Sequence, residues 1–220
     1  TTGTVTVTNA VAVTGSTAEL TAALVTAGTK VEVTDVAVTI NDADATALTA
    51  SALSAIGGAT TGTVTVTNAV AISGTTAQVT AALVTAGTLV EVTDATVTIS
   101  DNPTISELND IAAKTTGVVT ATLAAASLAD LGALNTAGTD EITITVSDAD
   151  AAAVTAANLS ALGGKTAGTV TVTNAVAITG DHDQLTAALV TNGTKVEVSD
   201  ATVTVNDADG VAITAAELSA

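Results

Sequence analysis

The sequence predicts a parallel β-solenoid with a short α-helix in most coils, and about eight coils in alternating short and long pairs. Three observations predict it. A phrase of the form Gly-Thr-x-Val-x-Val recurs along the chain, with starts at Gly3, Gly28, Gly62, Gly87, Gly168 and Gly193 and looser versions at Gly117 and Gly138. Within each coil the apolar period changes from two to helical. The chain has no Phe, Trp, Tyr, Cys or Met and a single Pro, yet is 47% hydrophobic. A core without aromatics has to be thin and regular enough for Val, Ile, Leu and Ala to fill it. Abundant β-branched residues argue against disorder.

Each coil opens on strict alternation, as in Thr4-Val5-Thr6-Val7-Thr8, which reads as a half-buried strand with Val inward and Thr outward. Asn or Asp follows at a turn: Asn9, Asp35, Asn68, Asp94, Asn174 and Asp200. A second short strand comes next, such as Val11-Ala12-Val13 or Val38-Thr39-Ile40. Leu20 and Leu24, Val79 and Leu83, and Leu185 and Leu189 then mark one face of a helix. Ser16 with Glu19, Thr104 with Glu107 and Thr214 with Glu217 fit the capping box that satisfies orphan helix amides. The Gly opening the next coil is expected to end the helix.

No such coil buries its apolar side alone, so the coils stack into one continuous solenoid over 1–220, with a right-handed winding as the default. In-register stacking brings equivalent residues to about 4.8 Å, where like charges repel. The alternation Asn9, Asp35, Asn68, Asp94 at the turn is read as avoiding that repulsion. The same holds for Thr6, Glu32, Thr65, Glu91 and for Thr171, Glu197 on the outer face. Both ends lack polar capping coils, which is expected of a window on a longer chain or of joints to other chains.

Phrases such as TGTVTVTNAVAITG, the segment TISELNDIAAKTTGVVTATL and the NDAD turns resemble the Thr/Ala/Val/Asp-rich tandem repeats of very large bacterial surface proteins, including cyanobacterial ones. The resemblance covers the whole chain. It implies an extracellular or cell-surface location and a structural role in a filament, sheath or surface layer. It also implies self-association end to end or laterally, and contact with cell-surface polysaccharide. The alternative it implies is the rigid stalk of a giant calcium-dependent adhesin.

With 22 acidic residues against 4 basic ones the formal charge is −18, which excludes phosphate neutralisation and hence nucleic acid as a partner. No apolar run is long enough to insert into a membrane as a helix. Asp42, Asp44, Asp101, Asp148, Asp150, Asp207 and Asp209 lie in tight acidic turns, where Asp-x-Asp supplies oxygen ligands for calcium. The competing reading is that these acids favour helix N-termini and cap amides there. No other cofactor is expected. His182, in Asp181-His182-Asp183, has the flanking carboxylates of a transition-metal ligand or base. Because sibling coils carry hydroxyl residues there, it reads as a solvated surface residue. The outward Thr rows resemble the flat arrays of ice-binding solenoids, but Lys30/Glu32, Leu89/Glu91 and Lys195/Glu197 interrupt them. No Ser/His/Asp set, phosphate loop or metal-protease motif is present, so no enzymatic activity is expected.

Overall fold

The structure, a computed structural model, describes residues 4–9, 11–28, 31–194 and 196–215. Gly3, Lys30, Lys195 and Glu217, named above, lie outside the described residues. The chain is α/β with parallel strands in several sheets, and its described residues contain seven α-helices. It divides into two compact units, residues 1–102 with 110–120, and residues 103–109 with 121–220.

In the first unit the strands are β1 (Val5–Thr6), β2 (Ala12–Gly15), β3 (Val31–Glu32), β4 (Ala37–Ile40), β5 (Ala47–Thr49), β6 (Val64–Val66), β7 (Ala71–Gly74) and β8 (Thr96–Ile99). Helices α1 (Thr17–Leu20), continued by a π-helical turn over Thr21–Val25, α2 (Ala50–Gly57) and α3 (Thr76–Leu83) lie between them. Helix α4 (Ile105–Ala112) and strand β9 (Val119–Thr122) straddle the division. The second unit holds α5 (Leu128–Leu131), β10 (Glu141–Val146), β11 (Ala153–Thr155), α6 (Ala156–Gly163), β12 (Val170–Val172), β13 (Ala177–Gly180), α7 (His182–Leu189), β14 (Glu197–Val198) and β15 (Thr202–Val205).

Alternation places side chains as expected of half-buried strands. Val64 and Val66 are buried with Thr65 between them at the surface, and Ile142, Ile144 and Val146 point inward from β10. Leu53 and Ile56 of α2, Val79, Ala82 and Leu83 of α3, and Leu159 and Leu162 of α6 close the core from the helical side.

The pairings are parallel and join residues about one coil apart, such as Val5 with Val31, Ala12 with Ala37 and Ala47 with Ala71. Their pattern departs from simple stacking of like on like. Strand β4 pairs on one side with β2, the second strand of its coil, and on the other with β6, the first strand of the next. The cause is β5, an additional strand carried by the long coil that runs from Gly28 to Gly62. Strand β3 closes one column, β4 continues a second, and β5 opens a third, which runs through β7, β8 and the first residues of β9. In the second unit β10 pairs with β12 and β12 with β14, while β11, β13 and β15 form a column of their own.

This step revises two expectations. Thr6 faces Glu32, Thr65 faces Glu91 and Thr171 faces Glu197, as anticipated. However, Thr65 lies on Thr39 rather than on Glu32. Asn68 donates to the Asp42 carbonyl at 2.6 Å, so the turn ladder Asn9, Asp35, Asn68, Asp94 does not run unbroken through the coils. The coil-opening glycines also have another role than ending helices. Helix α3 ends at Leu83, capped by Val84, before Gly87. Gly62 instead lets the chain cross the preceding coil, since a Cβ there would stand 2.3 Å from the Val36 carbonyl oxygen. Gly57 and Gly163 do end helices, and a Cβ on either would meet the carbonyl oxygen of Thr88 or Thr194 at 2.1 Å.

Candidate functional site

The acidic turns are the chemically distinctive feature of the chain, and their geometry follows from the residues around them. After β4 the chain runs Asn41-Asp42-Ala43-Asp44-Ala45, and Ala45 takes a left-handed conformation at φ 58°. Its counterpart after β10, Ala151, has φ 60°, and the third NDAD turn places Gly210 there at φ 85°. In the first two motifs the two carboxylates reach different coils.

The first carboxylate reaches back to the helix of the preceding coil. One oxygen of Asp42 accepts from the amide and hydroxyl of Thr17, the first residue of α1, at 2.7 and 2.6 Å. Asp101 does the same to Thr76, the first residue of α3, at 2.7 and 2.6 Å. Asp148 accepts from the Leu128 amide at the start of α5 at 2.7 Å. Asp207 accepts from the His182 amide at the start of α7 at 3.1 Å, and its other oxygen meets the imidazole Nδ1 at 2.8 Å. Thr17 and Thr76 are buried despite their hydroxyls, because each has a carboxylate to satisfy it.

The second carboxylate reaches forward. Asp44 accepts from the Ala69 amide at 3.0 Å and Asp150 from the Ala175 amide at 3.2 Å. Around each, Asn68 or Asn174 donates to the first Asp carbonyl at 2.6 Å. Ala45 or Ala151 donates its amide to the carbonyl of Ala69 or Ala175 at 2.8 Å. Asp209 occupies the second position of the third turn.

For Asp42, Asp101, Asp148 and Asp207 the bonds that form go to helix-start amides, with the helix lying one coil earlier rather than next in the chain, whereas Asp44 and Asp150 bond amides outside the helices. The helix starts are completed locally. Ser16 with Glu19 forms the expected capping box, and Thr104 and Glu107 exchange the same bonds. Thr75 with Gln78 and Asp181 with Gln184 form two more, which a search for Glu alone passes over. Thr76 holds the Asp101 carboxyl below its ordinary value of 3.8, by its hydroxyl first and its amide second. The His182 side chain does the same for Asp207, and the Ser16 amide and hydroxyl lower Glu19.

His182 is not the freely solvated side chain its neighbours suggest. Its side chain is 22% exposed, with Nε2 lying 3.2 Å from Asp183 as Nδ1 meets Asp207. Among the described residues, no group of three or more His, Cys, Asp or Glu side chains is placed to hold a metal ion. No described helix is long and apolar enough to cross a membrane.

Comparison with known protein families, curated proteins and solved structures gave no match.

Proposed function

We propose that the chain is a non-catalytic structural repeat protein, a parallel β-solenoid whose coils stack into an extracellular filament, sheath or surface layer. The observation that carries this reading is where the polar chemistry goes. The first carboxylates of the acidic turns, which would be the natural start of a binding site, hold the amides of a neighbouring coil. Ladder bonds and buried Val, Ile and Leu serve the same contact. Each coil is built to hold the next, as repeat architectures require.

Strand β15 extends the reading to assembly. Val203 and Val205 are 48% and 40% exposed, whereas their counterparts Val97 and Ile99 on β8 are 0% and 5% exposed. A further coil stacked on β15, whether of the same chain or of a second copy, would cover them, as β9 covers β8. The charge of −18 opposes lateral clumping of such rods while leaving end-to-end pairing open.

Electron microscopy and fibre diffraction of the natively isolated protein at physiological ionic strength test this. Continuous fibres with an axial repeat of about 4.8 Å are expected. Short single rods would redirect the reading to an adhesin stalk. Compact particles without that repeat would overturn it.

A further inference from the structure

Three helices begin with a residue whose amide and side chain both bind a carboxylate from the following coil. In Thr17–Asp42 and Thr76–Asp101 the side-chain donor is a hydroxyl, which does not titrate in the physiological range. In the third the donor is His182, the only histidine of the chain. Its two ring nitrogens face two different carboxylates, Asp207 at 2.8 Å and Asp183 at 3.2 Å.

A neutral imidazole has one N–H and one lone pair, so it donates to one of these carboxylates and turns a lone pair on the other. An imidazolium donates to both, through charge-assisted bonds. We propose that His182 makes the fastening of the acidic turn after β15 to helix α7 dependent on pH, engaging two carboxylates when the imidazole is protonated and only one when it is neutral. The amide bond from His182 to Asp207 persists in either state, so the turn is loosened rather than released.

The charges around the ring favour the protonated form. Asp181 and Asp183 come from α7 itself, and Asp207 and Asp209 from the turn after β15. Helix α6 and strand β13, which pack against α7, contain no ionisable side chain, nor does β15. The N-terminus of α7 opposes the imidazolium, but with a partial charge of about one half. That is outweighed by two full carboxylate charges in direct contact with the ring. The hydrogen bond from His182 also keeps Asp207 ionised, in keeping with this arrangement.

The sign of the effect is fixed by these contacts. Attachment of β15 is strongest where the imidazole is protonated and weakens as pH rises and the ring gives up that proton.

Amide hydrogen exchange of the full chain, corrected for intrinsic rates and compared between about pH 5.5 and pH 8, reads this directly. Protection over Thr202–Asn206 is expected to fall about tenfold, the worth of one hydrogen bond to a charged group. Protection over Thr96–Ser100, its counterpart on the Thr76–Asp101 fastening, is expected to stay constant. His182→Thr, which restores the sibling pair, should abolish the dependence. Asp183→Asn should diminish it without altering the Asp207 contact. Constant protection in the native chain would overturn the proposal, as would a pH dependence that survives His182→Thr.

Discussion

Replacing Asp42 by Ala tests whether the acidic turns hold coils together. The carboxylate accepts two bonds on one oxygen, from the Thr17 amide at 2.7 Å and hydroxyl at 2.6 Å. Thr17 is 8% exposed, so its hydroxyl is left with poor access to water once the acceptor is gone. A hydrogen bond to a charged group contributes about 1.5–3 kcal/mol, and the two here share one acceptor. The expected loss is therefore about 2–3 kcal/mol, or roughly 5–10 °C in Tm for a chain of this size. Asp44→Ala removes one bond of 3.0 Å at an exposed position and should cost about 0.5–1 kcal/mol. A double-mutant cycle with Thr17→Val, which keeps the amide donor, should return the hydroxyl's share, about half of the Asp42 cost, as coupling. Thermal melts followed by circular dichroism, in millimolar calcium and in chelator, supply the assay. The reasoning requires the same loss in both conditions. It is refuted if Asp42→Ala costs no more than Asp44→Ala. If the native chain melts higher in calcium and Asp42→Ala removes that gain, the carboxylate is a calcium ligand instead.

Two further outcomes follow from the geometry. Gly163→Ala places a Cβ 2.1 Å from the Thr194 carbonyl oxygen, and because backbone lies on both sides the coils must separate locally; a loss of about 3 kcal/mol or more is expected in denaturant titration. Gly87→Ala, with nothing within 4 Å, is the matched control and should stay within about 1 kcal/mol. Acid unfolding should be steepened by Asp101, whose carboxyl is held below its ordinary 3.8 by Thr76. A depressed carboxylate stabilises the fold above that value, and the contribution is lost as pH falls through the lower folded one. Thr76→Val should therefore flatten melting temperature against pH below about 4.

Much of the coil was legible in the sequence because it rests on local chemistry. Alternation of Thr with Val in β6 and with Ile in β10 specified which of their residues are buried, and Ser16 with Glu19 specified a helix start. The capping boxes at Gln78 and Gln184 were legible in principle, since a side-chain amide oxygen accepts the same bond as a carboxylate. The direction of the Asp latches was not. An Asp preceding a helix suggests a local cap, whereas the bond runs to a residue 25 positions earlier in the Asp42, Asp101 and Asp207 latches. The sideways step of the columns was hidden for a related reason. Likeness aligns β6 with β1, but hydrogen bonding follows the path of the chain, and Ala47-Leu48-Thr49 shifts that path by one strand.

The step also changes the meaning of the glutamates. Repulsion between stacked carboxylates was an adequate reason for Glu to occur in every second coil only if one column ran through all the coils. No single column runs through all the described strands. Glu32 lies on β3, the last strand of the column begun by β1, and Glu91 bridges to β6 at the end of the column begun by β2. Glu197 lies on β14, the last described strand beyond β12. The outer faces of β2, β5 and β11 carry no charge: Ala12 and Thr14 on β2, Ala47 and Thr49 on β5, Ala153 and Thr155 on β11. A charged side chain on a terminal strand discourages further pairing there, a common protection of sheet edges. Glu32, Glu91 and Glu197 thus lie where a column ends, whereas Glu141 on β10, followed by β12, does not. The same long coil that supplies the extra strand brings the charge that closes the column it leaves.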